Sequence, residues 1–554
     1  MAQFKKASRS AFLNSIRKAF VLHKISSQPG APSAVELLQM SMEDEHSLPR
    51  RKFLNDMAKA GIIIGTAGFL ESCRKVERFA GVKKGQSGNS VNENYRIAII
   101  GAGIAGLNCA YQLKKAGYYS TVYEASTRTG GRMLSKNNFI GNGLNVELGG
   151  EFIDSGHKHM LALAKEFNLN LLDTQAKSEK GLEDDVFYIA GQFYSEAQIV
   201  AAFAPYASQI ASDLKLIPDN FGFNNFTADV QRFDQMSISG YFDTLGMPSG
   251  SFLRKGLEEA YLTEYGREVN DQTAINFLFL FSINPANNQY EIFGASDERY
   301  KVDGGNQRIP DAIYDEIADQ VELGASLTKI TQNNSGVYKL FFANGTTVSA
   351  DIVVVTIPFT MLKDVDLSSL NFPSWKTNAI QNLGYGTNAK LLMGFNKRTW
   401  RDKGYAGGVF TTGSTSGATT YIQTGWDNSR MQGGNKGGFT VYQGGNQGLN
   451  LSLAQSGIFL SQLEAMWQGT SAQYNGTSKL IHWPTHPFTK ASYACWRVGQ
   501  VTTISGAEIL PIDNIYFAGE HTSAWNQGYM EGGAETGAKA AKDIVKALKG
   551  TQAI

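Results

Sequence analysis

The feature that most restricts what this chain can fold into is a stretch of twenty-nine residues ordered as strand, glycine turn, helix, strand and acid. Arg96-Ile97-Ala98-Ile99-Ile100 is a β-branched run that enters Gly101-Ala102-Gly103-Ile104-Ala105-Gly106, and Leu107, Ala110, Tyr111 and Leu113 follow at helical spacing. A second strand, Ser120-Thr121-Val122-Tyr123, ends in Glu124, 23 residues beyond Gly101. The pattern predicts a parallel βαβ unit that binds a dinucleotide. Gly101 permits the tight turn, Gly103 lets a pyrophosphate approach the backbone of Gly103, Ile104 and Ala105 at the helix start, and Gly106 lets helix and strand pack closely. Glu124 is placed to accept hydrogen bonds from the adenosine ribose.

The residues after Glu124 separate flavin from nicotinamide nucleotides. Ala125-Ser126-Thr127-Arg128-Thr129-Gly130-Gly131-Arg132-Met133 carries a second glycine pair flanked by Arg128 and Arg132, which returns to the same pyrophosphate. Near the far end, Tyr516-Phe517-Ala518-Gly519-Glu520-His521-Thr522 is a strand leading into a Gly-acid turn. Gly532-Gly533-Ala534-Glu535-Thr536-Gly537 then opens a small-residue helix whose N-terminus suits negative charge near the flavin N1–C2 carbonyl. With Glu147-Leu148-Gly149-Gly150-Glu151 between these ends, the chain from Tyr95 to Leu548 resembles the flavin-containing amine oxidase family, which includes monoamine, polyamine and L-amino-acid oxidases.

The resemblance implies an α/β (α+β) architecture with FAD as cofactor, expected to be held non-covalently because Ser492 replaces the cysteine that bonds flavin in some members. A discontinuous Rossmann-like FAD-binding domain would comprise residues 95–155, 299–364 and 488–550. A substrate domain with a mixed sheet and helices would comprise 156–298 and 365–487. Val321-Glu322-Leu323, Leu327 to Ile330, Val337 to Phe342 and the run Ile352 to Pro358 are expected strands of an accessory sheet. The FAD contacts implied are Gly101, Gly103, Ile104, Ala105, Gly106, Glu124, Ala125, Arg128, Gly130, Gly131, Arg132, Gly149, Gly150, Glu151, Leu327, Gly519, Glu520, Gly528, Tyr529 and Met530. Leu327 occupies the place of a valine that holds adenine through its backbone. The resemblance implies no metal.

The catalytic set implied by the resemblance is Lys301, Tyr493 and Tyr529. Lys301 lies three positions before Gly304-Gly305, where the family carries a lysine that holds a water near flavin N5; a cation there stabilises charge during electron transfer to oxygen. Tyr493 and Tyr529 match two aromatic walls that align the amine in front of the flavin. Ser492 stands where some members carry the cysteine bonded to flavin, and Cys495 is three residues out of register. The reaction implied is transfer of a hydride equivalent from the amine α-carbon, then hydrolysis of the imine and release of hydrogen peroxide as O2 reoxidises the flavin. Amino-acid oxidases of the family place an arginine just after the ELG-type turn; here that position is Phe152, with Glu151 and Asp154 beside it. A primary amine without an α-carboxylate is the expected substrate. The alternative is an L-amino-acid oxidase or a tryptophan 2-monooxygenase-like enzyme, with Arg497 or another arginine as the carboxylate clamp.

Composition sets the remaining limits. A net charge of +1 over 554 residues provides no field for nucleic acid, and three cysteines exclude a disulfide framework. Arg50-Arg51, with Phe53 and Leu54 and the short apolar run from Ala60 to Leu70, resembles a twin-arginine export address and is too short to span a bilayer. Residues 1–73 are read as this leader and 74–94 as a linker, giving an exported protein. Leu70-Glu71-Ser72-Cys73 is a weak match to a lipoprotein box, which would anchor Cys73. The expected partners are a small-molecule amine and O2, and a homodimer is compatible with the sequence. The segment 411–447, rich in Gly, Thr, Ser and Asn, reads as a loop at a cavity mouth or a long surface hairpin.

Overall fold

The computed structural model describes residues 11–27, 32–43, 95–141, 143–279, 281, 296–413 and 420–551. Two sheets organise it. The first is a five-stranded, all-parallel sheet in the order Ile515–Phe517, Ile352–Val355, Ile97–Ile100, Thr121–Glu124 and Val321–Leu323. Every residue of Ile97–Ile100 and Ile352–Val355 is buried, because both faces of the sheet are covered: Ile97, Ile99, Ile352 and Val354 face helices, while Ala98, Ile100, Val353 and Val355 share a core with Leu327, Ile330, Leu340 and Phe342, so the strands read as unbroken apolar runs. This corrects the expectation of one accessory sheet. Val321–Leu323 and Ile352–Val355 join the parallel sheet, and only Leu327–Gln332, Tyr338–Phe342 and Thr347–Ala350 form the separate antiparallel one.

The helix Ile104–Lys115 and the long helix Met530–Thr551 pack together on this sheet. Their approach depends on missing side chains. A Cβ on Gly537 would lie 2.1 Å from Ala105 O, and one on Gly533 would lie 2.7 Å from the Ile104 side chain.

The second sheet has seven strands, in the order Tyr474–His482, Ala389–Phe395, Gly437–Gln443, Thr424–Asp427, Tyr405–Thr412, Glu183–Ile189 and Gln192–Tyr194. It is mixed, since Tyr405–Thr412 runs parallel to Glu183–Ile189 while the other neighbours are antiparallel. Three of its strands come from the segment 411–447 and the residues just before it, so this Gly-rich stretch is not a surface hairpin but the middle of the sheet. Its glycines serve close packing. A Cβ on Gly425 would meet the Phe439 ring at 2.6 Å, and one on Gly438 would meet Asn428 Oδ1 at 2.1 Å.

The expected leader segment contributes two helices, Ala11–Ser26 and Ala34–Glu43, to the packed body. Ala11–Ser26 buries Phe12, Leu13, Ile16, Ala19, Phe20, Leu22 and Ile25 in the core that also holds the helices Glu196–Leu214 and Phe252–Tyr265. Phe12 stacks on Phe410 with centroids 4.9 Å apart, in a niche opened by Gly256, whose Cβ would come within 2.4 Å of the Phe12 ring. Lys18 Nζ pairs with Glu196 at 3.0 Å. Arg50, Arg51 and Cys73 lie outside the described residues. Truncating the fully buried Phe12 to alanine is expected to cost about 3–5 kcal/mol, read as a fall in the urea midpoint of the full chain. An unchanged midpoint would mean that the helix is not part of the cooperative fold.

Candidate active site

The glycine turns meet as the sequence spacing predicts. Gly101 takes φ +105°, and Gly130 N donates to Ala102 O at 2.8 Å. A Cβ on Gly131 would lie 3.2 Å from Gly103 Cα, so the second glycine pair sits directly against the first helical turn. Gly103 begins the helix Ile104–Lys115 without a side-chain cap, and nothing lies within 4 Å of where its Cβ would be. An uncapped helix start beside open space is a place for a phosphate. Glu124 accepts from Ala102 N at 2.7 Å and Ser126 N at 2.9 Å, which holds the acid and Ala125 at the strand end. Gly324 N donates to Ser126 O and Ala325 N to Glu124 O, bringing the start of the Leu327 strand alongside. Arg128 is tied to the turn through Thr129 O and Gly131 O.

Glu520 is the hub of the site. Its carboxylate accepts from Arg132 at 2.8 Å, from Ala494 N at 3.3 Å and from Gly528 N at 2.7 Å. Burial by itself would raise the Glu520 carboxyl; Arg132, with these donors, holds it below the usual carboxylate range. One carboxylate thus fixes the two backbone segments that carry Tyr493 and Tyr529, each one residue from the bonded N–H. Tyr529 lies edge-on to His157, with centroids 5.3 Å apart. The Tyr493 hydroxyl donates to Glu264 O at 2.7 Å and accepts from Tyr442 at 2.8 Å.

The ELGGE turn is pressed between Arg132 and Met530. A Cβ on Gly149 would fall 1.8 Å from Arg132 O, and one on Gly150 would fall 2.7 Å from Met530 Cγ. Asn306 staples this turn to the lysine strand: its amide donates to Gly150 O at 3.1 Å and Glu151 O at 2.7 Å, and its Oδ1 accepts from Val302 N at 2.8 Å. Lys301, buried on the strand Tyr300–Val302, donates to Asn428 O at 2.8 Å and to Glu151 Oε1 at 3.3 Å. Its ammonium lies 5.7 Å from the Phe152 ring centroid. Phe152 meets Trp426 at 5.9 Å and Trp426 meets Tyr442 at 5.6 Å, so an aromatic wall runs from Lys301 to Tyr493.

Several of these residues escape a reading by motif. Trp426 and Tyr442 come from the Gly-rich segment, and Lys390 sits in Ala389–Phe395, a strand buried at every position. Its signal in the sequence is a lysine inside an otherwise apolar run. Arg497 does not join the site: it is half-exposed and pairs with Asp271 at 3.0 Å. Ser492 turns its hydroxyl to Asn388 Oδ1 at 2.7 Å, and Cys495 is fully buried against Asn276 and Trp496. Burial also pushes the Cys109 thiol up to about 12, as befits an inert core residue.

The residues fit the group that the motifs imply. Beyond the uncapped helix start, Gln527, next to Gly528, is buried with neither amide atom hydrogen-bonded, and the indole N–H of Trp426 is enclosed without an acceptor. Buried polar atoms of this kind call for a polar ligand.

Comparison with known proteins agrees. Residues 104–545 match the family model of flavin-containing amine oxidoreductases. The chain is 25% identical over 476 residues to an L-amino-acid oxidase of Demansia vestigiata, covering 82% of this chain and 87% of that protein. It is 23% identical over 494 residues to an L-amino-acid oxidase of Bothrops atrox, covering 86% and 94%. In fold it is similar to cyclohexylamine oxidase from Brevibacterium oxydans IH-35A, with TM-score 0.70, 18% identity and coverage of 82% and 99%. A putrescine oxidase bound to putrescine gives 0.66 at 18% identity and the same coverage. This chain belongs to the flavin-containing amine oxidoreductases, FAD-dependent enzymes that act on CH–NH2 groups.

Proposed function

We propose that the protein oxidises a primary amine without an α-carboxylate to the aldehyde, with release of ammonia and hydrogen peroxide. The observation that carries this is the Glu520 hub, which draws the glycine-turn arginine and both tyrosine segments together. In this reading residues 95–155, 299–364 and 488–550 hold FAD non-covalently, and 156–298 and 365–487 enclose the amine. Bound FAD supplies the two-electron acceptor and the path to oxygen. Tyr493 and Tyr529 flank the amine; Phe152, Trp426 and Tyr442 exclude water from it. Such walls favour the neutral amine, the form from which a hydride equivalent leaves without placing two positive charges on adjacent atoms. Lys301 has two of its three donors committed, to Asn428 O and Glu151, and in this reading the third serves the flavin edge.

The absence of a substrate carboxylate rests on Phe152 at the position after the turn and on the engagement of Arg497 with Asp271. The L-amino-acid oxidases among the relatives favour the second reading, oxidation of an L-amino acid. The two are separated by peroxide release from the full chain loaded with FAD, on phenethylamine against phenylalanine and tryptamine against tryptophan, with putrescine and spermidine added. Peroxide from the amines alone is expected. Peroxide from the amino acids alone would transfer the assignment to the second reading, and product without peroxide would point to a desaturase.

Export by the twin-arginine route belongs to the same proposal and rests on Arg50 and Arg51. No described helix is long and apolar enough to cross a membrane.

A further inference from the structure

Lys390 is a charged residue in the middle of a sheet, between the strands Gly437–Gln443 and Tyr474–His482, with its side chain 6% exposed. Placing a lysine there costs free energy unless all three of its donors are used. They are: Nζ donates to Gly149 O at 2.8 Å, to Glu151 Oε2 at 3.0 Å and to Glu147 O at 3.3 Å. The ammonium also lies 5.3 Å from the Trp426 ring centroid. With every donor committed, Lys390 has none left for a substrate carboxylate.

Its partner Glu151 is the revealing group. The carboxylate is 2% exposed and is held on one oxygen by Lys390 and on the other by Lys301 at 3.3 Å. In a buried setting a carboxylate at that distance offsets most of the charge on Lys301. A second ammonium on the opposite oxygen reverses this, leaving the three side chains with a net charge of +1, while the neighbouring Glu147 carboxyl, pushed up to about 7 by burial, is only partly ionised at neutral pH.

We propose that Lys390 is a positioning residue for the oxygen step: it neutralises Glu151, so that the charge of Lys301 remains uncompensated at the flavin edge. The inference rests on the proposed placement of Lys301 at the flavin. It also accounts for the acid beside an essential cation, since Glu151 joins the ELGG turn to both lysines and Lys390 removes the electrostatic cost of that tie.

The test uses full-length holoenzyme and two readouts. Sulfite, an anion that adds to oxidised flavin, is titrated spectroscopically, and its Kd reports the local charge independently of turnover. Reoxidation of reduced enzyme by O2 is followed by stopped flow. Lys390→Met is expected to raise the sulfite Kd and slow reoxidation by about tenfold each, while anaerobic reduction by amine stays within about twofold. Lys390→Met combined with Glu151→Gln restores the net charge and should return both readouts to within about threefold of the parent. Glu151→Gln alone should tighten sulfite. Lys390→Arg should keep the parent values, and together with Glu151→Gln it decides the matter if Lys390→Met does not fold. A double variant as impaired as Lys390→Met, or a Glu151→Gln that leaves sulfite binding unchanged, would overturn the proposal and make Lys390 a structural tie. If Lys301→Met itself changes neither readout, the placement of Lys301 fails instead.

Discussion

Lys301→Met holoenzyme is expected to be reduced by its amine at a rate within a few-fold of the parent and to react with oxygen about a hundredfold more slowly. The substitution removes a charge without opening a cavity, because methionine retains most of the length of the lysine side chain. Glu151 is not orphaned by it, since Lys390 still lies 3.0 Å from its other oxygen. What is lost is the ammonium at the edge of the aromatic wall and its uncommitted donor. A hundredfold change corresponds to about 2.7 kcal/mol of barrier, within the range for removing one buried charge-stabilising donor. The measurement is stopped-flow reoxidation of anaerobically reduced enzyme against oxygen concentration. Equal second-order rates in variant and parent would remove Lys301 from the oxygen step.

The second large effect separates two glycines of one motif. A Cβ on Gly106 would sit 1.9 Å from Gly101 O and 2.9 Å from Thr356 Oγ1, so Gly106→Ala must push the helix off the strand. The expected loss is on the order of 4 kcal/mol or more, with protein that purifies without flavin. Gly103 has φ −72° and open space around its Cβ position, so Gly103→Ala should leave the stability of the apoprotein within about 1 kcal/mol. Its methyl group would nevertheless stand where the pyrophosphate approaches, and FAD affinity should fall at least about tenfold. Thermal unfolding of the apoproteins and FAD titration by fluorescence check both halves. A Gly103→Ala protein that binds FAD as the parent does would place the pyrophosphate elsewhere.

These two glycines show why one part of the protein is legible from its sequence. The turn at Gly101–Gly106, the pair at Gly130–Gly131 and the Gly149–Gly150 turn each depend on a local backbone requirement, and a local requirement leaves a fixed spacing of residue types. The same holds for the alternation that marks Tyr338–Phe342 as a strand, with Tyr338, Leu340 and Phe342 buried. The Gly-rich segment 411–447 misleads for the converse reason. Its glycines are needed because Phe439 and Asn428 approach from neighbouring positions in the folded sheet, and nothing local distinguishes such a glycine from one in a loop.

By itself the sequence determined the nucleotide-binding unit and the flavin class, since these follow from the spacing and order of short motifs along the chain. Only the tertiary structure decided that Glu520 would join Tyr493, Tyr529 and Arg132, that Lys390 would share Glu151 with Lys301, and that a helix expected in a leader would bury Phe12 against Phe410. Apart from the bond between Glu520 and Gly528, each of these pairs residues far apart in the chain. Burial makes charged and aromatic groups choose partners by proximity in space, and that choice exists only once the two sheets have packed.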